Sequence, residues 1–323
     1  MTEGQSFCAE YSRQSGVDII GTASEHQIYV AISCPPPWSS YDLASERIPD
    51  NLRELAREID EDYDHFQTRF LLIDNEQLKQ TDDTLVLIFR KPLGLSTGYD
   101  KQEFHLPHLQ AVAPLVREYL MGNPLEVTPV ECFTRDILIC THGSRDRCCA
   151  RFGNPLYYHA CQIVADLSLD SVRIWRSSHI GGHRMAATAI DFPEGRYYGY
   201  LDVATLTSLL TRAGDIRCFE TVYRGWGALP WAAQVLEKHL LLQHGWDWLH
   251  FKVTAQVIKQ DADECFNQIE LICETPTGER QLYHADIVAE VDHTVFLQGS
   301  CLSEKVSAVM PYQIQNLTVS SID

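Results

Sequence analysis

The stretch DILICTHGSRDRCC, residues 136–149, decides how this chain is read. Asp136–Cys140 is a short apolar run of strand length, and Thr141–Cys149 is a polar, glycine-containing loop with cysteine at its end. Next, Pro155–Leu167 places Leu156, Ala160, Ile163, Val164 and Leu167 on one apolar helix face. Val172–Trp175 predicts a second strand, leading into the loop His179-Ile-Gly-Gly-His183. Met185–Ile190 and Tyr197–Leu201 predict a hairpin around Pro193-Glu194-Gly195, followed by helices at Ala204–Arg212 and Ala232–His239. Strand, helix, strand, hairpin and helix in that order is what a thioredoxin-like α/β unit shows.

Upstream lies a smaller α/β unit. His26–Cys34 reads as a strand stopped by Pro35, Pro36 and Pro37, and Asn51–Glu61 as a helix with Leu52, Leu55 and Ile59 on one side. Phe70–Ile73 and Leu85–Phe89 read as strands on either side of a polar stretch with Asp82 and Asp83. His108–Met121 reads as a helix stopped at Gly122-Asn123-Pro124. Downstream of Trp246, Phe251, Val253, Ala255 and Val257 alternate with polar residues, as do Ile269, Leu271 and Cys273. Asp286–Val291 and Thr294–Leu297 add short strands, so this end reads as an antiparallel β region. The expected organisation is an α/β unit over 1–128, possibly a degenerate relative of the second, a thioredoxin-like unit over 129–243, and the β region over 244–323.

With 323 residues, 45% hydrophobic and 22% charged, the chain has the composition of a core-forming protein of about two domains. Its formal charge, 26 − 44 = −18, argues against nucleic-acid binding, which depends on Lys and Arg neutralising phosphate. No apolar run approaches the roughly 18 residues of a membrane helix. The polar opening Met1–Ser6 has no signal-peptide core, which points to the cytoplasm.

Eleven cysteines cannot all pair within the chain, and a reducing compartment disfavours disulfides. Cys8, Cys34, Cys132, Cys161, Cys218, Cys265, Cys273 and Cys301 are scattered and read as buried or incidental thiols. Cys140, Cys149, His179 and His183 differ, because two predicted strands each lead into a loop carrying a pair of them. If the strands are neighbours, the loops converge, and two thiolates with two imidazoles can hold a metal. The wide Cys140–Cys149 spacing suits a bulky centre better than a zinc knuckle.

Four stretches carry a specific resemblance: CTHGSRDRCC (140–149), WRSSHIGGHR (175–184), FPEGRYYGY (192–200) and YRGWGALPWAAQVLE (223–237). With Cys8, Gly21-Thr22-Ala23 and Pro37-Trp38, they resemble successive motifs of the sucrase/ferredoxin-like family over residues 8 to 240. The resemblance implies a thioredoxin-like [2Fe–2S] domain whose cluster is held by Cys140, Cys149, His179 and His183. Cys148, directly before the second of these cysteines, departs from the family pattern and is the alternative ligand; His142 is a weaker candidate. Arg145, Asp146, Arg147 and Arg184 flank the ligands, where they can offset charge, brace a loop, contact a partner or simply be solvated. Glu237 is expected to brace the same domain.

Exchanging two thiolates for two neutral imidazoles makes such a cluster easier to reduce, with potentials of about −150 to +300 mV against about −400 mV for all-cysteine plant-type ferredoxins. If both histidines bind one iron, reduction would raise the proton affinity of their free ring nitrogens, so electron and proton uptake would couple. The expected function is one-electron transfer with a redox partner protein, and the acidic surface would steer this carrier towards a basic partner. The alternatives are a zinc-holding Cys2His2 structural or interaction module, or a thiol oxidoreductase, against which the lack of any CxxC counts.

Overall fold

The protein was analysed as a computed structural model that describes residues 7–78, 83–303 and 305–322; the opening Met1–Ser6 and Asp82 lie outside them. In chain order the helices are α1 Cys8–Gln14, α2 Asp50–Glu61, α3 Tyr63–Phe66, α4 Val112–Met121, α5 Arg147–Asp166, α6 Val203–Thr211 and α7 Trp231–His244. The first nine strands are β1 Ile28–Ser33, β2 Thr68–Asp74, β3 Thr84–Arg90, β4 Asp100–Leu106, β5 Arg135–Cys140, β6 Val172–Ser177, β7 Ala189–Phe192, β8 Arg196–Tyr198 and β9 Tyr223–Trp226. The rest are β10 Lys252–Gln260, β11 Phe266–Glu274, β12 Arg280–Ala289, β13 Val295–Gln298, β14 Val306–Val309 and β15 Tyr312–Ile322.

Nine strands form one sheet in the order β4-β3-β1-β2-β6-β5-β7-β8-β9. In its first half β1 and β2 are parallel, while β3 and then β4 add antiparallel on the other side of β1. The second half repeats this, with β5 and β6 parallel and β7 and β8 antiparallel beyond β5. The same four-strand arrangement is thus present twice in one sheet. The halves meet where β2 and β6 run antiparallel, Ile73 opposite Ser177.

Strand periodicity explains how one sheet serves two cores. Alternate side chains of a strand point to opposite faces. Val30, Ile32, Leu72, Val86 and Ile88 therefore pack with Leu52, Leu55 and Ile59 of α2 and Val112 and Val116 of α4. Tyr29, Ala31, Leu71, Ile73, Leu87 and Phe89 face the other way and join the core of the second half. Both faces are covered, so these strands are apolar throughout.

A separate antiparallel sheet, β10-β11-β12-β15, covers α7. Its buried alternates, Ile269, Leu271 and Cys273 on β11 with Tyr283, Ala285 and Ile287 on β12, extend the second-half core. The β13–β14 hairpin projects from this region, and its connecting loop carries Ser300 and Cys301. Trp248 sits in a 3-10 turn after α7 and donates to Glu237, which also accepts from Arg196 and Tyr223. Glu237 thus anchors a buried polar knot, the bracing role expected of it.

One element differs from the sequence expectation in a way that matters. The helix expected from Pro155 begins at Arg147, so Cys148 and Cys149 lie on its first turn and not in the preceding loop. Asp146 supplies the reason: its side chain accepts from the Cys148 N–H and starts the helix, with Pro155 accommodated inside it. The short apolar run and polar flanks of β4 concealed that strand in the sequence, as did the mixed polarity of β14 and β15.

Candidate metal centre

Cys140 ends β5 opposite Ser177, the last residue of β6. Because these strands are parallel neighbours, the loops that follow leave the same end of the sheet. The first carries His142 and Asp146 into α5, and the second carries His179 to His183. Gly153 of α5 lets the helix close on β5: a Cβ there would lie 1.9 Å from the Cys140 carbonyl oxygen. That approach seats the first turn of α5 beside Cys140.

His179 Nδ1 is 3.8 Å from the Cys140 Sγ and 3.8 Å from the Cys149 Sγ. These three donor atoms all lie within 4.8 Å of one another, with both cysteines buried. The His183 ring lies beside His179, with centroids 5.1 Å apart and planes 28° from parallel. Its Nδ1 is buried without a hydrogen-bond partner among the described residues. An imidazole nitrogen without a partner among the described residues, beside two thiols and a second imidazole, is an available donor in a soft-metal or iron–sulfur ligand set. The donor set therefore fits the expected group.

Protons are shared unequally here. A hydrogen bond from Cys149 holds the Cys140 thiol well below its ordinary value despite burial, with help from His179. The same bond, together with burial, pushes the Cys149 thiol up. Metal binding would displace the retained proton. Burial also lowers the His183 pKa, so its ring favours the neutral form that ligation needs.

The other expected site residues separate into distinct places. Cys148 is not at this centre: successive helical residues point about 100° apart, and its Sγ faces Cys8 and Cys301 instead. His142 is not free to ligate, since Nδ1 accepts from the His179 N–H at 3.1 Å and Nε2 lies 2.7 Å from the Ser39 carbonyl. It fixes the backbone of His179 to the loop after β1. Asp146 is fully buried and accepts from Cys148 N–H, Ser300 Oγ and Cys301 N–H. Burial opposes its charge, but these bonds outweigh burial and hold its carboxyl below the ordinary range.

Arg145 and Arg147 are exposed. Arg145 lines a cavity of about 680 Å³ with His26, Tyr63, Arg69 and His179, so this groove leads to the centre. Arg147 reaches the Cys301 carbonyl, and Arg184 is half-buried near Arg224.

Two cations went unnoticed in the sequence. Arg69 donates to the His179 carbonyl at 2.9 Å. Arg224, fully buried, donates to the Gly181 carbonyl and the Thr22 carbonyl and hydroxyl. Gly182 makes room for it, since a Cβ there would meet the guanidinium at 2.8 Å and the backbone is left-handed, φ +76°. Burial lowers the Arg224 pKa to about 10, yet that leaves it positive at neutral pH, favouring an anionic centre. Its place within the stretch YRGWGALPW was the available signal.

Duplicated α/β sheet, paired cysteines and paired histidines together define an α/β protein with a candidate metal centre. The sucrase/ferredoxin-like family profile matches residues 19–225, and the chain belongs to that family. It is also similar, at 28% identity over 134 residues, to altered inheritance of mitochondria protein 32 of Meyerozyma guilliermondii. That match covers 39% of this chain and 46% of the yeast protein, so the chain aligns with less than half of its relative. No solved structure matches the chain.

Proposed function

We propose that Cys140, Cys149, His179 and His183 hold a [2Fe–2S] cluster and that the protein transfers single electrons to or from a partner protein. The carrying observation is the convergence of two buried thiols and the His179 Nδ1 within 4.8 Å, with the His183 Nδ1, which has no partner among the described residues, alongside. When bound, such a cluster supplies a one-electron couple at a potential raised by its two imidazoles.

The chain's own residues then have defined tasks. Cys140 and Cys149 give two thiolates from separate elements, which enclose a bulky group more readily than a compact knuckle. His142 and Arg69 hold the His179 backbone, and Arg224 holds that of Gly181. Arg224 and Arg69 place positive charge beside a thiolate-rich centre. His179 and His183 can each carry a proton on the ring nitrogen not used as ligand, so electron uptake would favour proton uptake.

The family match, the donor set and the acidic charge of −18 support this reading, with a basic redox partner and a cytoplasmic setting as parts of it. Anaerobic purification tests it. About two irons per chain and a red-brown colour are expected, with a reduction potential that falls as pH rises. A colourless protein holding zinc at Cys140 and His179 would overturn the electron-transfer reading in favour of a structural Cys2His2 module. A cysteine-based oxidoreductase has less support, because Cys148 and Cys149 point to different places.

A further inference from the structure

Three thiols meet outside the candidate centre. The sulfurs of Cys8 and Cys148 are 3.5 Å apart, those of Cys148 and Cys301 3.2 Å, and those of Cys301 and Cys8 3.5 Å. They come from α1, from the first turn of α5 and from the β13–β14 loop, as far as 293 residues apart in the chain. Cys8 and Cys148 are buried, and Phe7, Ala9, Phe152 and Ala186 wall the group. The Asp146 carboxylate lies within 4.8 Å of all three sulfurs.

The geometry favours a metal over a covalent link. A disulfide needs about 2.05 Å between sulfurs, so each side of this triangle is too long by about 1 Å or more, and any pairing would strand a third buried thiol. Tetrahedral Zn–S bonds of about 2.3 Å set sulfurs about 3.75 Å apart. The observed triangle needs to open by only a few tenths of an ångström. A carboxylate sits on hand for a fourth position, and the two N–H groups it binds belong to Cys148 and Cys301 themselves.

We propose that Cys8, Cys148 and Cys301 form a second metal site that takes one Zn²⁺ as three thiolates, with the Asp146 carboxylate in the fourth position. Each thiol surrenders its proton on binding. The ion would staple the N-terminal helix and the C-terminal hairpin loop onto the helix that also bears Cys149. Gly299 of that loop sits at the His183 ring, so the staple would also fix the lid of the first centre.

Metal analysis of the full chain, purified anaerobically from zinc-supplemented medium, tests this independently of which metal occupies the Cys140 centre. About one zinc per chain is expected in addition to the Cys140-bound metal. Cys8→Ser and Cys301→Ala should lose that zinc and keep the metal at Cys140, whereas Cys140→Ser should keep the zinc. Zinc that survives Cys301→Ala but disappears with Cys140→Ser would overturn the proposal. So would wild-type protein that takes up no such zinc, or a disulfide among these three cysteines in an unreduced peptide map. Should the Cys8 or Cys301 variants fail to fold, Co²⁺ added to the metal-free Cys140→Ser/Cys149→Ser protein, which keeps no thiolate at the first centre, gives the answer. Strong thiolate-to-cobalt absorption with tetrahedral d–d bands supports the site; a pale octahedral spectrum refutes it.

Discussion

In both β4-β3-β1-β2 and β8-β7-β5-β6 a parallel pair is flanked by two antiparallel strands, so the loop after β1 corresponds to the loop after β5. Each begins at a cysteine, Cys34 just past β1 and Cys140 at the end of β5. There the likeness stops. After β2 the first half places Asn75, which bonds the Ile174 carbonyl, where the second half places its histidine loop after β6. The first-half loop instead supports its counterpart. The Trp38 carbonyl accepts from Ser144, the Ser39 carbonyl is bonded by His142, and Asp42 accepts from Ser178. The parallel pair supplies a place where two loops converge; the donor atoms on those loops decide whether the place does chemistry or buttresses a neighbour.

The largest contrast should come from the cysteines. Cys140→Ser, Cys149→Ser or His183→Ala is expected to remove most of the bound iron and visible absorption, while Cys34→Ser retains them, read by metal analysis and absorption on the same preparations. An iron-depleted Cys34→Ser would show the halves to be less divergent than their loops imply.

The cores differ next. The second half encloses an Arg196–Glu237 ion pair, both residues buried, whereas the first-half core is packed with apolar side chains. Arg196→Met leaves Glu237 unpaired and should cost about 3–5 kcal/mol. Ile88→Val in the first half should cost only about 0.5–1.5 kcal/mol. Urea unfolding of the two variants measures the difference, and equal losses would deny the polar knot its part.

The buttress can be broken at His142. Its replacement by Phe removes the bond to the first-half Ser39 carbonyl and the bond to the His179 N–H without touching a donor atom, so metal affinity should fall about 10–100-fold, as for lost supporting contacts elsewhere. Competition with a chelator gives the number, and an unchanged affinity would mean that the loop holds itself.

The smallest effect concerns His26, in the first-half groove. Burial, with Arg69 adding to it, lowers its pKa from 6.5 to about 4. Folding therefore favours the neutral ring, and this contribution is complete above pH 6.5 and lost as pH falls through about 4. His26→Phe should flatten the pH dependence of stability in that window, and a parallel acid limb in the two proteins would refute the assignment.

Local pattern made much of this legible. The apolar runs of β1, β2, β3, β5 and β6 and the periodic face of α2 lie where the residues place them, because short-range periodicity reports burial directly, whereas on α5 Leu156 and Ala160 are buried but Leu167 is exposed past the helix end. Cys140, Cys149, His179 and His183 were likewise readable as two pairs on two loops. The start of α5 was not, since Asp146 reads equally as a loop residue or a cap until its partners are known. Nor was the single sheet, which depends on a β2–β6 pairing between residues about a hundred positions apart.

What the sequence by itself determined is most of the strands and helices of the α/β part, the acidic character and the two Cys/His pairs of the candidate centre, because each depends on residue identity or near neighbours. Only the tertiary structure decided which of two adjacent cysteines faces the histidines. A helical turn separates Cys148 from Cys149 by about 100°, and only packing says which direction leads to β5. It alone also brought Cys8 and Cys301 to Cys148. No local signal can encode a contact across 293 residues, since it arises from burying the surfaces between them.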